Sequence, residues 1–153
     1  MTRKNGYCAI ALWNPKNPHN VGGCLRAAGC YGVDLVVIGG SRRVKSLAYL
    51  PTDVSRDWQH IPTLQPEDPF DAMPLGAIPI AVDLIPDAIP LPDFVHPERA
   101  FYVFGPEDGT LQKTILRRCK YHVMVPTIGC MNLAASVNVI LYDRMSKIHR
   151  KGY

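Results

Sequence analysis

Arg26 stands among residues that have almost no side chain. In the stretch NPHNVGGCLRAAGCYG, residues 17–32, it is flanked by Gly22, Gly23, Cys24, Ala27, Ala28 and Gly29. Glycine inside a helix costs roughly 0.5–1 kcal/mol relative to alanine, so such a run needs a reason. Asn20 reads as the N-cap of a helix whose first amides would face an anion. One turn past Gly22 and Gly23, Arg26 leans back over them, toward the positive end of the helix dipole. A phosphate placed there would accept both the amides and the guanidinium. Close helix packing, with Arg26 paired to an acidic neighbour, would account for the same residues without a ligand.

Two further loops carry residues of comparable promise. FGPEDGTL, residues 104–111, places Gly105, Pro106, Glu107 and Gly109 directly after an apolar run. It lacks the Gly-Lys-Ser/Thr of a phosphate-binding P-loop. Glycine here permits close backbone approach to a ligand. Glu107 could pair with Arg26 or orient a substrate hydroxyl, or, with Asp108, simply favour the start of a helix. VPTIGCMN, residues 125–132, closes a strand with proline and glycine, and its Asn132 reads as a helix cap.

The elements that must position these loops follow from the apolar pattern. Buried strands are expected at Tyr7–Trp13, Asp34–Gly40, Ala77–Leu84, Ala100–Gly105 and Tyr121–Pro126. Helices are expected from His19 or Asn20 to Tyr31 with Gly32 as the stop, over Thr110–Cys119, and from Asn132 through the C-terminal basic stretch. Leu133, Val137, Ile140, Leu141 and Ile148 form the core stripe of that last helix. Residues 41–75 are mixed, with one short helix near Lys45–Leu50, and the proline-rich IPDAIPLPDFVHPE excludes a long helix. Short apolar strands alternating with helices predict an α/β fold with a mostly parallel sheet flanked by helices, in one domain over residues 1–153. In such sheets ligands bind beyond the carboxyl ends of the strands.

Composition bounds the class. The chain has 153 residues, 47% hydrophobic and 20% charged, typical of a soluble globular domain. No apolar run approaches the ~20 residues needed to span a bilayer. The first residues lack a small-residue cleavage site, so the cytoplasm is the expected location. The five cysteines show no CxxC pair and no zinc spacing, so no metal site is expected and the thiols read as reduced. The net charge of +4 is mild, but basic residues cluster in SRRVK, in LRRCK and at the C-terminus. Arg42, Arg43, Arg117, Arg118, Lys147, Arg150 and Lys151 are candidate contacts to a polyanion, and those near helix ends also suit the helix dipole.

Taken in order, NVGGCLRAAGCYG, FGPEDGTL and VPTIGCMNLAASVNVILYD resemble the three motifs of the SPOUT methyltransferase superfamily, TrmH (SpoU) branch. The resemblance covers nearly the whole chain and implies a sheet whose C-terminal part is tucked into a deep trefoil knot. It implies S-adenosylmethionine as methyl donor, a homodimer with the site at its interface, and ribose 2′-hydroxyls of RNA as acceptors, tRNA ahead of rRNA. Carried over by motif, the resemblance assigns Arg26, Asn20, Glu107 and Asn132 to catalysis and Val82, Gly105, Val125 and Cys130 to the donor. The motif-one arginine is the family's proposed base, acting across the dimer. A free guanidinium is too basic for that, so gripping a phosphate and stabilising the developing alkoxide suit Arg26 better. One departure stands out: the family commonly has serine where this chain has Cys130, in a shortened loop, and a thiol is a weak hydrogen-bond partner. A catalytically inactive RNA- or cofactor-binding relative is therefore the alternative. A dinucleotide oxidoreductase is disfavoured, because no GxGxxG opens the first helix.

Overall fold

The computed structural model describes residues 6–47 and 50–150, the side chains of 149 and 150 excepted. Part of the short helix expected near Lys45–Leu50, the side chain of Arg150, and Lys151 lie outside that description. Seven strands form one sheet: β1 (Tyr7–Trp13), β2 (Leu35–Gly39), β3 (Thr63–Leu64), β4 (Ile78–Val82), β5 (Ile89–Pro90), β6 (Arg99–Phe104) and β7 (Tyr121–Met124). Their spatial order is β3-β2-β1-β6-β4-β7-β5, and every pairing is parallel. The two-residue strands β3 and β5 escaped the sequence reading, because two residues carry no periodicity and Pro90 argues against a strand. Both sit at sheet edges, where proline is tolerated.

The apolar runs follow from burial on both faces. Along β1, Cys8, Ile10 and Leu12 enter one core while Ala9 and Ala11 enter the other. The same alternation places Tyr102 and Phe104 of β6 on the first face and Phe101 and Val103 on the second. The first face is covered by α1 (Pro18–Tyr31) and α3 (Leu133–Arg150). The second is covered by α2 (Lys113–Leu116) and a 3₁₀ turn at Pro69–Ala72. The helix expected over Thr110–Cys119 is thus only four residues long. It is still amphipathic, burying Ile115 under the sheet.

At its start, α1 differs from expectation. Asn17, not Asn20, is the N-cap: its side chain accepts the His19 amide at 2.9 Å, and Pro18 occupies the first helical position. Proline suits that position because its missing N–H would have had no partner there. The C-cap is Gly32 in the left-handed conformation, as read from sequence. Asn132 caps α3, accepting the Ala135 amide at 2.8 Å.

Close approach accounts for the glycines. A Cβ at Gly23 would lie 2.9 Å from that of Ala134 on α3, and one at Gly22 would collide with the Thr52 hydroxyl and lie 3.1 Å from the Asp53 amide. One at Gly29 would run into the Asp57 carboxylate. The small residues of α1 therefore serve packing against α3 and the 50–57 segment. The space they leave is filled by protein.

Polar contacts pin the far half of α3. Arg144 is buried and donates to the carbonyls of Pro97 at 2.7 Å and Glu98 at 2.9 Å. Lys147 donates to Leu91 and Phe94 carbonyls and pairs with Asp143 at 2.8 Å. His96 lies between the Tyr102 hydroxyl, 2.6 Å from Nδ1, and Asp143, 2.7 Å from Nε2. In the expected core stripe, Leu133, Val137, Ile140 and Leu141 are buried, whereas Ile148 is only partly covered.

Burial pushes His96 down to about 4, against the upward pull of Asp143. Between the ordinary histidine range and that value the unfolded chain binds the extra proton and the folded chain does not. Stability is therefore full above about pH 6.5 and falls by about 2–4 kcal/mol on acidification through pH 4, from this group alone. Urea titrations at pH 7 and pH 4.5 measure the fall, and His96→Asn should flatten it.

Candidate functional site

The registers set Val82 opposite both Phe104 and Val123, so β4, β6 and β7 end level. The chain leaving those strands lines a cleft of about 180 Å³. From β4 come Val82, Asp83 and Leu84; from β6, Gly105, Pro106, Glu107 and Gly109; from β7, Val125, Thr127, Cys130 and Met131. Leu133 and Ser136 at the start of α3 close it. Five residues singled out in sequence, Val82, Gly105, Glu107, Val125 and Cys130, thus meet around one cavity.

Glu107 ties this cleft to the loop before α1. Its carboxylate accepts the Lys16 amide at 2.8 Å, the Asn17 amide at 3.4 Å and the Asn20 side-chain amide at 3.1 Å. Partial burial pushes its pKa upward, but these hydrogen bonds outweigh that and hold it below the usual carboxylate range. Glu107 therefore pairs with the amide groups of the first loop and not with Arg26. Next to it, Asp108 takes the Arg42 guanidinium in a bidentate pair at 2.9 and 2.8 Å, which holds Asp108 below its ordinary value. That pair fastens the loop after β2 beside the loop after β6, and the Arg42 amide, donated to Asn14, ties it to the chain leaving β1.

Of the other expected residues, Asn20 and Asn132 adjoin the cleft lining, and Arg26 does not. Asn20 is inside the first turn of α1 and reaches the site through Glu107. Asn132 stands between the lining residues Met131 and Leu133, with its carboxamide oxygen committed to the α3 cap. Arg26 is exposed and, among the described residues, makes no hydrogen bond or ion pair. Its charge is felt by Asp57. Asp83 was missed in sequence. Only a polar residue ending an otherwise apolar strand marked it, and strands often end that way.

Several basic candidates are engaged within the chain. Arg118 pairs with Asp68 at 2.7 Å and lies over the Phe70 ring, and Lys147 is consumed by α3 packing. Arg43 and Arg117 remain exposed. Among the described residues no group of three or more His, Cys, Asp or Glu could hold a metal ion, and no helix is long and apolar enough to cross a membrane.

A parallel α/β sheet with glycine-bearing loops gathered at its carboxyl edge defines a class of ligand-binding folds. Within that class, the chain belongs to the SpoU rRNA Methylase family, whose model matches residues 7–142. The 23S rRNA (guanosine-2′-O-)-methyltransferase RlmB of Nitrosomonas europaea is 27% identical over 88% of this chain and 54% of its own length. An uncharacterized tRNA/rRNA methyltransferase of Archaeoglobus fulgidus is 28% identical over 90% of this chain and 63% of its own. The chain spans 54–63% of the length of the curated relatives it matches. The fold matches the SpoU methyltransferase AviRb of Streptomyces viridochromogenes, crystallised with AdoMet, at a TM-score of 0.80 and 19% identity, over 97% of this chain and 63% of that one. A structure described for 2-OH methylation of C/U34 on tRNA matches at a TM-score of 0.80 and 24% identity, over 95% of this chain and 99% of that one. The trefoil knot is what membership of the family implies.

Glu107→Gln keeps the shape but offers one acceptor where the carboxylate offers two. It should cost about 0.5–1.5 kcal/mol and lower the exchange protection of the Lys16 or the Asn17 amide, whichever faces the new NH2 group. Because hydrogen bonding depresses the carboxyl pKa, this contribution is present at neutral pH and lost as pH falls through the folded value. Hydrogen exchange and denaturant midpoints compared at pH 7 and pH 3.5 should show the gap between wild type and variant narrow at the lower pH.

Proposed function

We propose that the chain is an S-adenosylmethionine-dependent RNA methyltransferase acting on a ribose 2′-hydroxyl, tRNA ahead of rRNA, in the cytoplasm. The observation that carries the reading is the convergence of three loops on one cleft at the level ends of β4, β6 and β7, with Glu107 bonded across to the loop that leads to Arg26. The family membership and the relatives' printed activities support it.

The cleft's chemistry fits the donor. Leu84, Val125, Met131 and Leu133 offer apolar surface, Thr127 and Ser136 offer hydroxyls, and the charged lining residues are both carboxylates. In this reading Val82, Gly105, Val125 and Cys130 hold the donor, and Cys130 contributes through its backbone and its apolar thiol. When bound, the donor would supply a methyl group already activated on its sulfonium, so this chain's residues have to hold it and bring the ribose hydroxyl oxygen into line. Alignment of that oxygen supplies much of the rate. Glu107 is then a positioning residue, and Asn20 is oriented by it. Asn132 holds the turn from the third loop into α3.

Arg26 is exposed and does not line the cleft of its own chain, so in this reading it grips an RNA phosphate and stabilises the developing alkoxide across a homodimer. The exposed Tyr142 of α3, which shares a shallow groove with the partly buried Tyr31 of α1, and the exposed Met145 support the dimer. Exposed Arg43 and Arg117 are the remaining phosphate contacts among the described candidates.

Calorimetry with S-adenosylmethionine, then mass spectrometry of tRNA and rRNA nucleosides from cells with and without the chain, tests the function. Binding without any lost 2′-O-methyl mark would favour the inactive relative. Arg26→Ala and Arg26→Lys should each lose most turnover, since lysine lacks the planar fork, while stability changes by less than about 0.5 kcal/mol for an exposed, unbonded side chain. Full activity in Arg26→Ala refutes its role. Sedimentation at micromolar concentration should give a dimer; a fully active monomer refutes that part.

A further inference from the structure

Among the described residues, the charged ones lining the cleft are Asp83 and Glu107, and no lysine, arginine or histidine joins them. Glu107 turns its oxygens toward the loop before α1, where Lys16, Asn17 and Asn20 donate to them. Asp83 is different. Its Oδ1 accepts the Leu84 amide at 2.8 Å and its Oδ2 accepts the Leu111 amide at 2.8 Å. A carboxylate offers about four lone-pair positions, so half of them stay open. Among the described residues no cation pairs with it. Its place is also built: a Cβ at residue 105 would come within 2.6 Å of Oδ2, so Gly105 is required for Asp83 to sit against the second loop. The result is a half-buried negative charge beside the cavity with no counter-charge among the described residues.

We propose that Asp83 makes the cleft selective for a ligand carrying positive charge at the position of the donor sulfur, and selective against the neutral thioether left after transfer. This rests on the donor assignment of the preceding section. An uncompensated carboxylate in a partly desolvated cleft attracts a cation more strongly than it would in water. Transfer of the methyl converts the sulfonium into an uncharged sulfide while the amino-acid ammonium is unchanged, so the attraction to the sulfur centre alone disappears in the step that makes product. Asp83 is thus a specificity residue that holds fresh donor and loosens spent donor. If it were only an acceptor for the Leu111 amide, its removal would weaken both ligands alike.

The test is calorimetry of the intact protein with three probes: S-adenosylmethionine, S-adenosylhomocysteine, and sinefungin, whose amine carries the charge without a transferable methyl. Wild type should bind both cationic probes roughly five-fold or more tighter than the homocysteine compound, the scale of one screened unit charge. Asp83→Asn should bring that ratio near one, and Asp83→Glu should retain it. A wild-type preference for the thioether, or equal binding of all three, overturns the proposal without any variant. An unchanged ratio in a folded Asp83→Asn, verified by its melting transition, also overturns it. Failure of wild type to bind any probe overturns the donor assignment itself, and this proposal with it.

Discussion

Parallel pairing of β4 with both β6 and β7, in the register that sets Val82 beside Phe104 and Val123, is the constraint on which the rest of the site depends. Parallel strands buried on both faces have little freedom to slip. A one-residue shift would drive Tyr102 and Phe104 into the core now filled by Phe101 and Val103. Because the strands end level, the loops that follow start at the same height and must share one space. Glycine and proline in those loops let backbone come close, and Gly105 makes the room that Asp83 occupies.

The helices answer to a second constraint, the closeness of α1 to α3. Gly23 against Ala134 lets the two approach without side chains between them. What that closeness buries is mostly apolar, so orientation comes from the polar contacts at the far end of α3. Arg144 satisfies carbonyls at the amino end of β6, and Lys147 satisfies carbonyls of the 91–94 turn. The Glu98 and Leu91 carbonyls also accept the Tyr7 and Phe94 amides, so Arg144 and Lys147 add a second donor there and supply donors to the Pro97 and Phe94 carbonyls. The Tyr102–His96–Asp143 chain completes the lock on the same side of the sheet. Its acid sensitivity is the consequence of keeping a histidine neutral in a place water does not reach.

Charge is divided by place. The cleft carries carboxylates, while the basic residues stand outside it, and several of these are spent on the fold. Arg42 joins the loop after β2 to Asp108, and Arg118 joins α2 to Asp68. An exposed ion pair contributes little stability alone. Here the bidentate pair matters through what it aligns, since Asp108 follows directly on Glu107. A net charge counted from composition therefore overstates the positive surface available to a polyanion.

The sequence by itself determined the elements whose burial is continuous: β1, β2, β4, β6 and β7, the stop at Gly32 and the cap at Asn132. It also carried the three loops, because their glycine, proline and polar residues stand out at the ends of apolar runs. Where α1 begins was legible too: Asn17 and Asn20 are equally good caps in composition, but only Asn17 precedes a proline, which favours the first helical position. The purpose of Gly22, Gly23 and Gly29 was illegible, since empty space for a ligand and empty space for a neighbouring helix look the same in one dimension. The engagement of Arg42, Arg118 and Lys147 was illegible too, because their partners lie 66, 50 and as many as 56 residues away. Asp83 could be found only when β4, β6 and the chain before α2 were brought together. A carboxylate's role depends on which donors reach it, and only the tertiary structure decides that.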